Sequence, residues 1–207
     1  MPAAHFVIAF SLFATALFSG VAHAQQAPVA LIDRVSSEVL DAIKANRSIR
    51  SGDVQETTAL VDAKVMPHVN FARMTASAVG RYWRQATAEQ RSQLQEEFKI
   101  LLVRTYSGAL SQVNDQQTIH LKPMRSNPED TEVVVRTEVR GSGDPIQLDY
   151  RLEKVGGDWK IYDVNVLGVW LVQNYRSSFA SEISRGGVDG LIKSLVDRNK
   201  STASKSS

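Results

Sequence analysis

The chain has no cysteine. That excludes disulfide stapling, thiolate metal sites and the cysteine-linked lipid anchor of a bacterial lipoprotein. Histidine is scarce as well: of four in the chain, only His68 and His120 lie beyond residue 24. A zinc site needs clustered ligands, and these two are far apart in sequence, one after the helix-breaking Pro67 and one facing outward on a strand. Charge is nearly balanced, with 24 basic and 22 acidic residues giving +2, and the two signs are interspersed. Nothing resembles the basic stripe of a nucleic-acid binder. No G-x-S-x-G elbow, Walker loop or dinucleotide fingerprint occurs. Gly141-Ser142-Gly143 is not followed by a helix start and reads as a hairpin turn.

Long apolar runs are missing everywhere except at the start, where Phe6–Gly20 is apolar but too short to span a bilayer comfortably. Ala22-His23-Ala24 then places small residues at −3 and −1 before Gln25. This predicts a secretory signal over residues 1–24, although its first part carries no Lys or Arg. Export without an anchor predicts a freely diffusing periplasmic protein. Residues 25–198 are long enough for one domain with a sizeable core, and the Ser/Lys-rich residues 199–207 read as a disordered tail.

What is present falls into helices, then strands, then helices. Leu31, Val35, Val39 and Ile43 recur every fourth residue and predict an amphipathic helix ending near Asn46. Asp53-x-x-Glu56 and Thr87-x-x-Gln90 are capping boxes, each opening a further helix. Between them, a short helix over about 70–79 stops at Gly80. The helix after Thr87 is the longest, with Leu94, Phe98, Leu101, Leu102 and Thr105 along one side.

The period then drops to two. Ile119 and Leu121, then Val133, Val135 and Val139, then Ile146, Leu148, Tyr150 and Leu152 alternate with polar neighbours, and Trp159 and Ile161 begin a fourth strand. Turns rich in Gly, Pro, Asn and Asp connect them. The expected fold is α+β: a curved antiparallel sheet of about four strands whose apolar face is covered by helices. Periodicity leaves two readings of that face open, a filled core or a cavity lined for an apolar ligand. The carboxylates give an enzymatic alternative. Asp163 continues the parity of Trp159 and Ile161 and would point inward beside Tyr150. Asp163 or Asp149 could then serve isomerase-like or hydrolytic chemistry, but the parity of Tyr162, Val164 and Val166 competes, and this favours a structural role for Asp163 at a bulge or strand end.

Several segments carry a family resemblance. Val65-Met66-Pro67-His68-Val69-Asn70-Phe71, Gly80-Arg81-Tyr82-Trp83-Arg84-Gln85-Ala86-Thr87, Trp159-Lys160-Ile161-Tyr162-Asp163-Val164 and Asn174-Tyr175-Arg176-Ser177 occur in order, followed by Gly187-Val188-Asp189-Gly190-Leu191. The chain thereby resembles the MlaC family, the soluble periplasmic carriers of the maintenance-of-lipid-asymmetry pathway, also called toluene-tolerance proteins. The resemblance covers roughly Val29 to Val196. It implies a nuclear-transport-factor-like cone with extra helices, acyl chains in the apolar interior and the head group near the mouth. It also implies shuttling between an outer-membrane lipoprotein–porin complex and an inner-membrane lipid transporter complex, by a monomer with no cofactor and no catalytic residue.

Strand parity supplies the lining expected of such a pocket: Leu102, Tyr106, Val133, Val135, Leu148, Tyr150, Leu152, Ile161, Val166 and Val169. Tyr106 and Tyr150 could also reach a glycerol or ester oxygen. The alternative cargo is another apolar solute, such as an aromatic compound or isoprenoid. Where family members often carry Glu and Ser around a Gly-Val pair, this chain has Leu167 and Trp170, and the Trp is expected to narrow or reshape the pocket. Arg73, Arg81, Arg84, Arg176 and Arg185 read as solvated helix-face charges, or else as a docking patch.

Overall fold

The computed structural model describes residues 19–127 and 129–203. Most of the predicted signal therefore lies outside the described residues; the backbone of 19–24 continues the first helix. Among the described residues five α-helices precede the sheet: α1 (Ser19–Ala45), α2 (Arg47–Arg50), α3 (Val54–Leu60), α4 (Phe71–Val79) and α5 (Ala88–Leu110). Five strands follow, β1 (Thr118–Leu121), β2 (Glu132–Arg140), β3 (Ile146–Val155), β4 (Asp158–Val166) and β5 (Val169–Trp170), and then α6 (Leu171–Ala203). No described helix is long and apolar enough to cross a membrane.

Local chemistry explains the boundaries. The Thr87 hydroxyl accepts the Gln90 amide while the Gln90 side chain accepts the Thr87 amide, a complete capping box at the start of α5. At α3 the box is half formed. Asp53 accepts from the amides of Gln55 and Glu56, but the Glu56 carboxylate takes the side-chain amide of Asn46 instead. Around Pro67, which has no N–H to donate, a π-helical turn over Val61–Val65 and a 3-10 turn over Met66–His68 replace a regular helix. Gly187, at φ +68°, breaks α6 into two arms.

The sheet is an antiparallel meander in the order β1-β2-β3-β4-β5, one strand more than the four expected. The extra strand, β5, is only two residues long, too short to show a period. The register pairs Val133 with Leu152, Val135 with Tyr150, Thr137 with Leu148 and Val139 with Ile146, so one face of β2 and β3 is apolar as predicted. The free edge of β4 has two covers. β5 pairs with Asn165 and Val166, while farther down Val69 bridges Ile161 and the Asn70 amide donates to the Ile161 carbonyl at 2.8 Å. Little of that edge is left to pair with another chain.

Two packed clusters hold the layers together. In the first, Phe98 of α5 meets Tyr175 and Phe179 of α6 edge to face, with ring centroids 5.1 Å apart in both pairs, and Phe71, Met74, Leu94, Leu191 and Leu195 close around them. In the second, Ile32 of α1 packs on Val135, Leu152 and Ile161 of the sheet. Val69 and Val164 touch both clusters. The described part of the predicted tail, residues 199–203, is helical. α6 runs on to Ala203, and the buried Asn199 donates its side-chain amide to the Glu97 carbonyl at 3.0 Å and to its carboxylate at 2.7 Å.

Candidate functional site

The ten lining residues expected from parity divide by burial. Val135 and Leu152 are fully buried and Ile161 is 3% exposed, all three packed against Ile32 in the α1 cluster. Val133 and Tyr150 are half-buried against that same cluster. Leu102, Tyr106 and Val166 are half-buried against the α5–α6 cluster, and Leu148 is half-buried on the same face, opposite Thr137 of β2 and Val166 of β4. Val169 is 48% exposed. Burial thus falls along the sheet face from Leu152 toward Ile146, and the apolar wall opens at the β2–β3 hairpin end.

Exposed large apolar side chains concentrate at that opening. Of the four among the described residues, Ile146 (38%), Leu167 (66%) and Val169 lie there, and only Val155 lies at the other end of β3. Clustered exposed apolar surface marks a binding site more often than scattered single residues do. A second signal is polar. Burial pushes the Tyr150 phenol up to about 12, against a lowering by the neighbouring Thr137 hydroxyl. Burial likewise raises the Tyr106 phenol. Both tyrosines stay neutral across the physiological range, as suits groups lining an apolar space.

A bulge reconciles the two parities that compete on β4. The ladder shifts between Arg151 and Leu152, so Tyr150 pairs with Val164 and Arg151 with Asp163, whereas Leu152 pairs with Ile161. Val164 and Val166 therefore join the apolar face, and Asp163 turns to the opposite, polar face. There its carboxylate is fully engaged. Oδ1 accepts the amides of Val164 at 2.9 Å and Val172 at 3.1 Å, and Oδ2 accepts from Arg151 Nη1 at 3.1 Å. Asp149 lies on the same polar face, where its Oδ2 accepts from the Gln147 amide at 2.9 Å and stands 4.0 Å from Arg136 Nε. Neither carboxylate joins Tyr150 on the apolar side.

Trp170 does not narrow the apolar space either. It pairs with Asn165 on the polar face, and the Arg151 guanidinium lies 3.9 Å above its ring. Arg73, read as a helix-face charge, instead binds α4 to the sheet. It contacts Glu153 and Glu132 (2.6 Å) and stacks 3.7 Å over the Tyr162 ring.

Sequence reasoning missed Val164, Ile146 as part of the opening, and Leu167. Val166 and Val169 pair across Leu167-Gly168, a two-residue hairpin loop with φ of +52° and +89°. An X-Gly pair between two valines was the available signal, and Leu disguised it because Leu is not a turn residue. Elsewhere, a surface groove of about 750 Å³ runs between α3 and α5, lined largely by polar and charged residues such as Asp53, Gln55, Asp62, Glu96 and Arg104. It shares no residue with the apolar wall.

Comparison with known proteins places this geometry. A solved structure of a phospholipid-binding protein from Ralstonia solanacearum, in complex with a phospholipid, matches with a TM-score of 0.80 and 46% identity, over 84% of this chain and 97% of that one. The intermembrane phospholipid transport system binding protein MlaC of Haemophilus influenzae is 24% identical over 86% of this chain and 85% of its own. Toluene tolerance protein ttg2D of Pseudomonas putida is 28% identical over 80% of this chain and 77% of its own. The MlaC protein family model matches residues 33–197, which includes the sheet, its bulge and the helices that cover it, and the chain belongs to that family.

Proposed function

We propose that this protein is a periplasmic phospholipid carrier, exported by the signal over residues 1–24, that holds acyl chains between the apolar sheet face and helices α5 and α6. The observation that carries this reading is the fold shared with a phospholipid-bound relative at 46% identity across nearly all of that relative. The gradient of burial on this chain's own sheet agrees with it. Leu102, Tyr106, Leu148, Tyr150 and Val166 form the wall, Val133, Val135, Leu152 and Ile161 the floor, and Val169 the mouth.

The energetics set what such a carrier must do. Each CH₂ kept from water is worth about 0.8 kcal/mol, so two acyl chains amount to on the order of 20 kcal/mol. A free lipid does not cross water at a useful rate, and an enclosed one does. In a bilayer the chains are already buried, so transfer is close to neutral overall. Direction then comes from differential affinity at the two ends, an outer-membrane lipoprotein–porin complex and an inner-membrane lipid transporter. The protein works as a monomer without cofactor or catalytic group, and the cycle maintains outer-membrane lipid asymmetry.

Native mass spectrometry of the protein taken from the periplasm tests this. A stoichiometric adduct of phospholipid mass supports the reading. An aromatic or isoprenoid adduct identifies a different cargo, and bare protein that stays bare after incubation with phospholipid vesicles overturns carriage altogether.

A further inference from the structure

Leu167 is the only non-glycine residue with positive φ among the described residues, at +52°. In that conformation the Cβ of an L-residue crowds the following carbonyl, a cost of about 1–2 kcal/mol that Gly and Asn largely escape. Leu167 is also the most exposed large apolar side chain described, at 66%. A polar Asn at this place would remove both penalties and would suit a two-residue hairpin turn with Gly after it. The chain keeps a residue that is unfavourable twice over, and strain of this kind persists where surrounding structure imposes it and function uses it.

The surroundings do impose it. The Leu167 amide donates to the Gln147 carbonyl of β3 at 3.1 Å, the Gly168 amide donates to the Asn165 side chain at 2.8 Å, and Val166 pairs with Val169 below. The tip is thus clamped on three sides with its side chain in solvent. Its backbone also adjoins the end of the apolar wall. Ile146 and Val169 flank it, and Val166, directly before it, pairs with Leu148 on the half-buried face.

We propose that Leu167 is the exchange residue of the mouth, an apolar step that the acyl chains of the cargo phospholipid touch as they enter and leave. Resting on the carrier reading above, this assigns Leu167 to the rate of transfer and leaves holding to the wall. A chain withdrawn past Val169 meets Leu167 before it meets water, so hydrocarbon exposed in the transition state falls by part of one Leu contact. A fully buried Leu contributes about 1.5–3 kcal/mol, and half of that is about three- to tenfold in rate.

The test is fluorescent-phospholipid uptake from phosphatidylcholine–phosphatidylglycerol vesicles by the purified full chain, with occupancy at equilibrium and Tm measured alongside. Leu167→Asn is expected to raise Tm by about 2–4 °C, slow uptake and release about three- to tenfold, and leave final occupancy within twofold. Leu167→Met, still apolar, is expected to keep wild-type rates. Val155→Asn removes an exposed apolar side chain at the far end of β3 and is expected to change nothing. Unchanged rates in Leu167→Asn overturn the proposal. So does occupancy lost in step with rate, which makes Leu167 a holding residue. Wild-type protein that takes up no lipid refutes the carrier reading itself, and the two failures are therefore told apart.

Discussion

Asp163 of β4 accepts the backbone amide of Val172, in the first turn of α6, at 3.1 Å. The first amides of a helix lack intrahelical partners, so a carboxylate delivered from the neighbouring strand does the work of an N-cap. That bond fixes where α6 leaves the sheet, and α6 carries Tyr175 and Phe179 into contact with Phe98. The residue that parity made a candidate acid is in this structure the joint between two layers.

Asp163→Ala is expected to destabilise the protein by about 2–3 kcal/mol in urea unfolding at neutral pH, because it strands buried N–H groups. Asp163→Asn keeps an acceptor and is expected to cost less than about 1 kcal/mol. Burial is the largest influence on this carboxyl and raises its pKa despite the opposing amides and Arg151. A carboxyl raised in the folded state favours folding most below its unfolded pKa, and that contribution is lost as pH rises through the folded value. The stability of wild type relative to Asp163→Asn should therefore decline from acid toward neutral pH. A difference that grows with pH would show the charge to be net stabilising.

Arg73 offers a different kind of joint. Its guanidinium serves Glu153 and Glu132 and lies over the Tyr162 ring, three contacts that need a planar fork. Lys can replace only one of them. Arg73→Ala is expected to lose about 1–2 kcal/mol, discounted because Glu132 is half in solvent, and Arg73→Lys to recover less than half of it. Full recovery by Lys would mean that simple charge attraction holds α4 to the sheet.

Much of this architecture was legible because it depends on repetition. The four-residue spacing of Leu31, Val35, Val39 and Ile43 gave α1, Thr87 and Gln90 gave the start of α5, and the alternation through β2 and β3 gave the apolar face. The failures were local and geometric. One extra residue near Tyr162 reverses the parity of β4; the competing runs of Trp159 and Ile161 against Val164 and Val166 point to a bulge, but its place is fixed only once the partner strand is known. The graded burial from Leu152 to Ile146 was hidden for another reason. Val135 and Val169 are the same residue type, and what separates the buried one from the exposed one is the packing around each.

Tyr150 makes that environment measurable. With its phenol pushed up to about 12, it should remain un-ionised near pH 11, where an exposed tyrosine is mostly tyrosinate. Its neutral form contributes to folding below the unfolded value near 10, and the contribution is lost as pH rises from there through about 12. Difference titration of wild type against Tyr150→Phe, followed by ultraviolet absorbance, should place the missing step close to 12. A step near 10 would mean that Tyr150 is solvated and that the wall is open to water at this depth.

The position of the pocket is tested by two leucines on one face of one strand. Leu152 is fully buried against Ile32, and Leu148, four residues along the same face, is half-buried toward the opening. Leu152→Ala removes packing and is expected to cost about 2–5 kcal/mol as a core truncation does, with lipid occupancy of the folded fraction retained. Leu148→Trp adds bulk where the wall is loose, so the fold should tolerate it to within about 1–3 kcal/mol. If the acyl chains run along this face as proposed, the indole takes their space, and bound phospholipid in native mass spectra should fall at least tenfold. The two variants thus separate stability from carriage in opposite directions. If Leu148→Trp folds and still carries a full complement of lipid, the chains do not run along this face, and the wall drawn from Leu148 and Val166 is in the wrong place.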